Sequence, residues 1–185
     1  MRWGTVINAI SAHSQEACID PQELLLAQMV TVRLLLIQAH GNSSMDEDEW
    51  QQLFGWLRLR YPKDIAKPQF DDYRPALKGW LKKAVAKVSP EQTVDCMLAH
   101  LVAHIAGLLQ LDEIEEQLLL LAWLRRRHQT MNPAMVSIDA AHAARVLSLL
   151  LGHSSDAIHS RLRESGRLRM LELVGGKRPS FLDLD

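Results

Sequence analysis

Cysteine is scarce in this chain. Cys18 and Cys96 are the only two, and they stand far apart with no C-x-x-C pair. That usage fits a reducing compartment, where cysteine is a small core residue, and it offers no disulfide framework. Long apolar runs are also missing. The longest, Leu118 to Leu124, falls far short of the roughly 20 residues that span a bilayer. The opening Met1-Arg2-Trp3 lacks the charged region and apolar run of a signal peptide. These absences predict a soluble, cytoplasmic chain with no membrane partner. The net charge of −1 excludes a global attraction to nucleic acid or acidic membranes. Internal repeats, low-complexity tracts and a flexible linker are absent too.

Enzyme signatures are equally thin. A phosphate-binding loop needs G-x-x-x-x-G-K-[ST], whose backbone amides and lysine cradle the phosphates. Gly176-Lys177 is followed by Arg178, and Leu171 stands where the first glycine is required, so there is no ATP site. His100 and His104 are spaced i, i+4, which can hold zinc on a helix. The glutamate that a metalloprotease places after the first histidine is missing, and neither Asp95 nor Cys96 is phased as a third ligand. No Ser-His-Asp or Cys-His arrangement stands in a nucleophile's context. The expectation is a chain without catalytic, metal or cofactor residues, and without a cofactor.

What is present is helix. With 48% apolar residues over 185, a sizeable core needs neither disulfide nor metal. Residues 1–20 show no clear period and read as an arm or short helix. Pro21 opens a helix to about Gln38, apolar on nearly all sides and therefore buried. Ser44-x-x-Glu47 has the form of a capping box. Trp50, Leu53, Phe54 and Leu57 behind it form an amphipathic stripe, stopped by Tyr61-Pro62. The next helix spans roughly Asp72 to Val88. Leu77, Trp80, Leu81, Ala84, Val85 and Val88 face inward, and Lys78, Lys82, Lys83 and Lys87 lie outside the stripe. Ser89-Pro90 reads as another start, with Val94, Met97, Leu98, Leu101, Val102, Ile105, Leu108 and Leu109 as its core stripe. Asp112 and Glu115 repeat the cap pattern. Connections this short imply a compact bundle. The spacing divides the chain into a helical-bundle subdomain over 1–110 and a second subdomain over 111–185, packed together.

The second subdomain has the plan of a winged helix-turn-helix. Helices are predicted over 112–128, 139–151 and 154–164. A strand over Arg167–Val174 then turns through Gly175-Gly176 into a second strand over Pro179–Asp185. The four-residue link Leu151-Gly152-His153-Ser154 is the mark of a helix-turn-helix pair. The fold class expected is thus mainly α: a helical bundle followed by a C-terminal winged helix with a two-stranded wing.

Charge is unevenly divided. Residues 121–185 hold 10 Lys and Arg against 6 Asp and Glu, a mild basic bias that ordinary scatter also produces. Arg125-Arg126-Arg127 suit the negative end of a helix dipole. In a DNA-binding winged helix the second helix of the pair enters the major groove. Here that helix would present His159, Arg161 and Arg163, with Lys177 and Arg178 on the wing. It has few Asn or Gln and no basic cluster in its first turn, so protein contact is the leading reading and nucleic acid the secondary one. Trp50, Trp80 and Trp123 lie on core stripes. Trp56 lies off its stripe, near Arg58 and Arg60. It is a candidate protein-contact anchor or a second packing face.

Asp112-Glu113-x-Glu115-x5-Leu121, followed by Leu151-Gly152-His153-Ser154-x3-Ile158-x3-Leu162-x3-Gly166-Arg167-Leu168, resembles the segment that precedes the motor in some bacterial AAA-type ATPases. The resemblance covers about 70 residues, and its motifs are structural, as such capping and turn patterns are. It implies a helical region and a winged-helix-like unit that bind a protein substrate or adaptor and lead into a motor missing here. Any homo-oligomer would form through that motor. The alternative is a DNA-binding winged-helix regulator. The partner-binding candidates are Trp56, Arg58, Arg60, His159, Arg161, Arg163, Lys177 and Arg178.

Overall fold

Asp20 caps the first helix, its carboxylate accepting from the Gln22 N–H at 2.9 Å, and Pro21 occupies the first turn, where its missing N–H costs nothing. The computed structural model describes residues 20–38, 45–62, 69–88, 96–136, 140–163 and 166–170. The arm 1–19, the segment 89–95 with its Ser89-Pro90 start, and residues 171–185 lie outside the described residues. Among the described residues every regular element is helical.

Helix α1 (Pro21–Ile37) runs through the centre and packs against three long helices, α3 (Phe70–Lys87), α5 (Glu113–Arg127) and α7 (Ala140–Leu151). Its even apolar coat explains this. Ala27 and Leu34 enter one apolar cluster, Val32 and Leu35 the other, and all four are almost fully buried. The first cluster joins α1 to α4 (Met97–Leu109), α5, α7, α8 (Ser155–Leu162) and α9 (Arg167–Met170). The second joins α1 to α2 (Glu47–Trp56) and α3 around a ring stack, in which Trp50 and Tyr73 have centroids 4.5 Å apart. Helix α4, which precedes residue 110, shares its cluster with α5 and the helices that follow.

Helix α2 begins two residues later than the Ser44 motif predicts. The capping box is built by Asp46 and Glu49, each accepting the other's backbone N–H at 2.9 Å. Acidic residues follow one another here, so several spacings fit the pattern, and Asp46 is the one that leaves Trp50 and Phe54 facing the core. Helix α5 starts as expected, with Asp112 and Glu115 exchanging N–H bonds at 2.9 Å. Gln110, at φ 54°, closes α4 just before it. A 3-10 turn (Gln129–Met131) and α6 (Asn132–Val136) occupy the stretch after α5, and the Ala134 carbonyl accepts from Gln38 Nε2 at 2.9 Å.

The α7–α8 pair carries the expected tight turn. Gly152 takes φ 78°, which costs glycine little and other residues more. Ser154 Oγ then caps α8 by accepting from the Ala157 N–H at 3.2 Å. The wing reading fails at its first strand. Residues 167–170 form a helical turn, α9, that packs on α8 and α5. The physical reason lies in Gly166 and Leu168. A Cβ at Gly166 would stand 2.1 Å from the Arg161 carbonyl oxygen, so the chain folds back tightly at this glycine. The helical turn then seats Leu168, 1% exposed, in the first cluster. Four residues of alternating polarity were too few to distinguish strand from turn.

Candidate functional site

Three helix ends meet at one place. Helices α1 and α4 begin there and α5 ends there. Asp20 Oδ2 accepts from the Met97 N–H at 3.4 Å. Glu23, three residues into α1, is only 3% exposed. Its Oε1 accepts from Arg127 Nε at 2.7 Å and faces His128 Nε2 at 3.0 Å. Buried charges of this kind are held only when paired. Burial pushes the His128 imidazole below its usual range, against the opposing pull of the Glu23 carboxylate. Burial likewise pushes the Cys96 thiol up, and the sulfur belongs to the first apolar cluster. The cluster ties the start of α1 to the start of α4 and to the end of α5.

From this end α4 runs along the surface. It contains no Asp, Glu, Lys or Arg. Leu98, Val102 and Ala106 point into the core, and Met97, His100, Ala103, His104, Gly107 and Leu108 lie on the opposite, exposed side. Met97 is 76% and Leu108 71% exposed. Both were expected in the core stripe. The sequence pattern failed here because the helix is apolar on most of its circumference, and periodicity then cannot tell which residues are covered. Met97 and Leu108 thus stand exposed on a helix that carries no Asp, Glu, Lys or Arg.

The sequence-nominated residues separate into two places. Trp56 is half-buried between the two clusters, its ring 6.2 Å from that of His128. Its carbonyl accepts from Gln28 Nε2 at 2.7 Å. Arg58, at φ 55°, and Arg60 are exposed after the end of α2. On α8, His159 is exposed and Arg163 follows the last turn. Arg161 is held inward: Nε and Nη2 both lie 2.9 Å from Asp112 Oδ2. Burial alone would raise the Asp112 pKa, but the Glu115 N–H and the Arg161 guanidinium outweigh it and hold the carboxyl below its ordinary value. His153 is tied to Gln117, Nε2 to Oε1 at 3.0 Å. Lys177 and Arg178 lie outside the described residues.

Among the described residues no group of three His, Cys, Asp or Glu side chains could hold a metal ion. None of the described helices is long and apolar enough to cross a membrane. No protein-family model, curated protein or solved structure matches the chain.

Proposed function

We propose that this chain is a recognition region that binds a protein substrate or adaptor through the exposed face of α4, without chemistry of its own. The uncharged face carrying Met97 and Leu108 is the observation that supports this reading. The setting is the one implied by the resemblance of residues 112–168: a region preceding the motor of a bacterial AAA-type ATPase. The DNA-regulator alternative draws little from α8. Its one arginine, Arg161, already serves Asp112, and its exposed side presents Ser155, Asp156, His159 and Ser160. Base readout favours Arg, Lys, Asn and Gln.

The test places a photo-crosslinking side chain at Leu108 and, separately, at the exposed Arg145 of α7, in cells. A discrete covalent protein adduct at Leu108 and none at Arg145 is expected. Equal labelling at both positions, or none, overturns the α4 assignment. The ATPase setting has its own check. The coding sequence beyond Asp185 should continue into a phosphate-binding loop, and a stop codon directly after Asp185 rejects that setting.

A further inference from the structure

Sulfur is the side-chain element that peroxides oxidise most readily, and exposure decides which sulfur is reached. The fold sorts the described sulfur side chains by this criterion. Met29, Cys96, Met131 and Met135 are buried. Met45 is half-buried against the second apolar cluster. Met97 alone among them is open to solvent, at 76% exposure. Its neighbour Cys96, the other sulfur at this helix start, is shielded in the first cluster.

The exposure of Met97 follows from its place in α4. Helical side chains lean back over the preceding turn, and Met97, the first residue of α4, has no earlier turn of its own helix to lie on. Its backbone is nonetheless held: the N–H donates to Asp20 Oδ2 at 3.4 Å, and the next residue, Leu98, enters the core. The Met97 side chain belongs to neither apolar cluster of the described residues. A change at its sulfur therefore alters the surface and leaves core packing untouched. The same change at Met131 or Met135 would set a polar oxygen inside the first cluster, which is costly unless that oxygen finds a donor.

We propose that Met97 is a reversible oxidation site: hydrogen peroxide converts its thioether to the sulfoxide, which turns the surface of α4 polar without loosening the fold. The sulfur attacks one peroxide oxygen. An S–O bond forms as the O–O bond breaks, and sulfur gives up two electrons. The second oxygen leaves as water, taking the proton that the first releases. The product replaces a flexible apolar side chain by a polar, chiral one. No Asp, Glu, Lys or Arg of α4 masks that change. The exposed sulfoxide is also within reach of the reductases that restore methionine, one for each epimer. This property of Met97 is independent of whether α4 binds a partner.

The experiment treats the full chain with hydrogen peroxide for increasing times and maps sulfoxide by peptide mass spectrometry. Met97 should be oxidised roughly tenfold or more faster than Met29, Met131 and Met135, since exposure governs the rate. Once Met97 is oxidised, retention on a hydrophobic-interaction column should fall, and the melting midpoint should stay within about 2 °C of the untreated chain. The two sulfoxide reductases, supplied with a dithiol, should restore the retention. Met97→Leu, which keeps an apolar side chain but cannot take up oxygen, should abolish the early loss of retention. Met97→Gln should lower retention without peroxide. Circular dichroism establishes that both variants fold. Four results overturn the proposal: oxidation of a buried methionine as fast as Met97, unchanged retention of the Met97 sulfoxide, a fall in melting midpoint as Met97 is oxidised, or failure of the reductases to reverse it. The crosslinking outcome at Leu108 bears on the α4 binding reading alone.

Discussion

Glu23 and His128 are 105 residues apart in sequence, yet Glu23 Oε1 and His128 Nε2 stand 3.0 Å apart with both side chains 4% exposed. Arg127 completes the group from a more exposed position. Removing one partner of a buried pair strands the other, which typically costs about 3–5 kcal/mol. Glu23→Ala should therefore lower the unfolding free energy by about 3 kcal/mol in urea titrations, and Glu23→Gln by less, because the amide oxygen still accepts. A loss below about 1 kcal/mol for Glu23→Ala, the range of exposed pairs, would mean that the cluster contributes little.

The same pair makes stability depend on pH in a defined direction. The folded-state pKa of His128 lies below its ordinary value of 6.5. Above 6.5 the imidazole is neutral in both states, and its contribution is fully present. As pH falls through 6.5 the unfolded chain takes up a proton first, so stability declines until the lower folded pKa is reached. One proton limits the slope to about 1.4 kcal/mol per pH unit. His128→Gln keeps a donor for Glu23 but cannot titrate. The stability advantage of the wild type over this variant should shrink between pH 7.5 and 5.5. An advantage that grows on acidification would contradict the assignment.

Asp112 serves two partners of unequal worth. It caps α5 through the Glu115 N–H and receives Arg161 from α8. The side chains of the ion pair are 34% and 42% exposed, where such pairs contribute below about 1 kcal/mol, whereas loss of an N-cap costs about 0.5–2 kcal/mol. Arg161→Ala should be mild, Asp112→Ala clearly worse, and Asp112→Ser intermediate because serine retains the cap. A double-mutant cycle on residues 112 and 161 isolates the pair.

The glycines should divide by sign. Gly166→Ala forces a Cβ to 2.1 Å from the Arg161 carbonyl oxygen and should be the most damaging of the set. Gly152→Ala meets open space but holds φ 78°, a left-handed conformation costing about 1–2 kcal/mol. Gly79, inside α3, has open space and no conformational demand. Gly79→Ala should raise stability by about 0.5–1 kcal/mol through helix propensity alone. Thermal melts of the three variants give the ordering.

Local chemistry was legible in the sequence, and long-range pairing was not. The Asp112–Glu115 box, the Gly152 turn and the buried character of α1 follow from patterns within a few residues. The partners of Glu23 lie 104 and 105 residues away, and no spacing rule reaches that far. The Arg125–Arg127 run illustrates the difference. The dipole is a sufficient reason for its charge, but Arg127 also reaches Glu23, and Arg125 Nε donates to Asn132 Oδ1 at 3.1 Å. Met97 and Leu108 were assigned to the core because a nearly uniform apolar helix carries no phase information.

The position of α1 bears on how the protein comes apart. Ala27 and Leu34 on one flank, and Val32 and Leu35 on the other, belong to different clusters. Neither cluster can open while the other stays shut without handing one flank of the same helix to water. Heat or denaturant should therefore meet a single cooperative event, with α1 as the shared keel. Trp56, wedged at the seam, should report by its fluorescence the same midpoint that helix content gives.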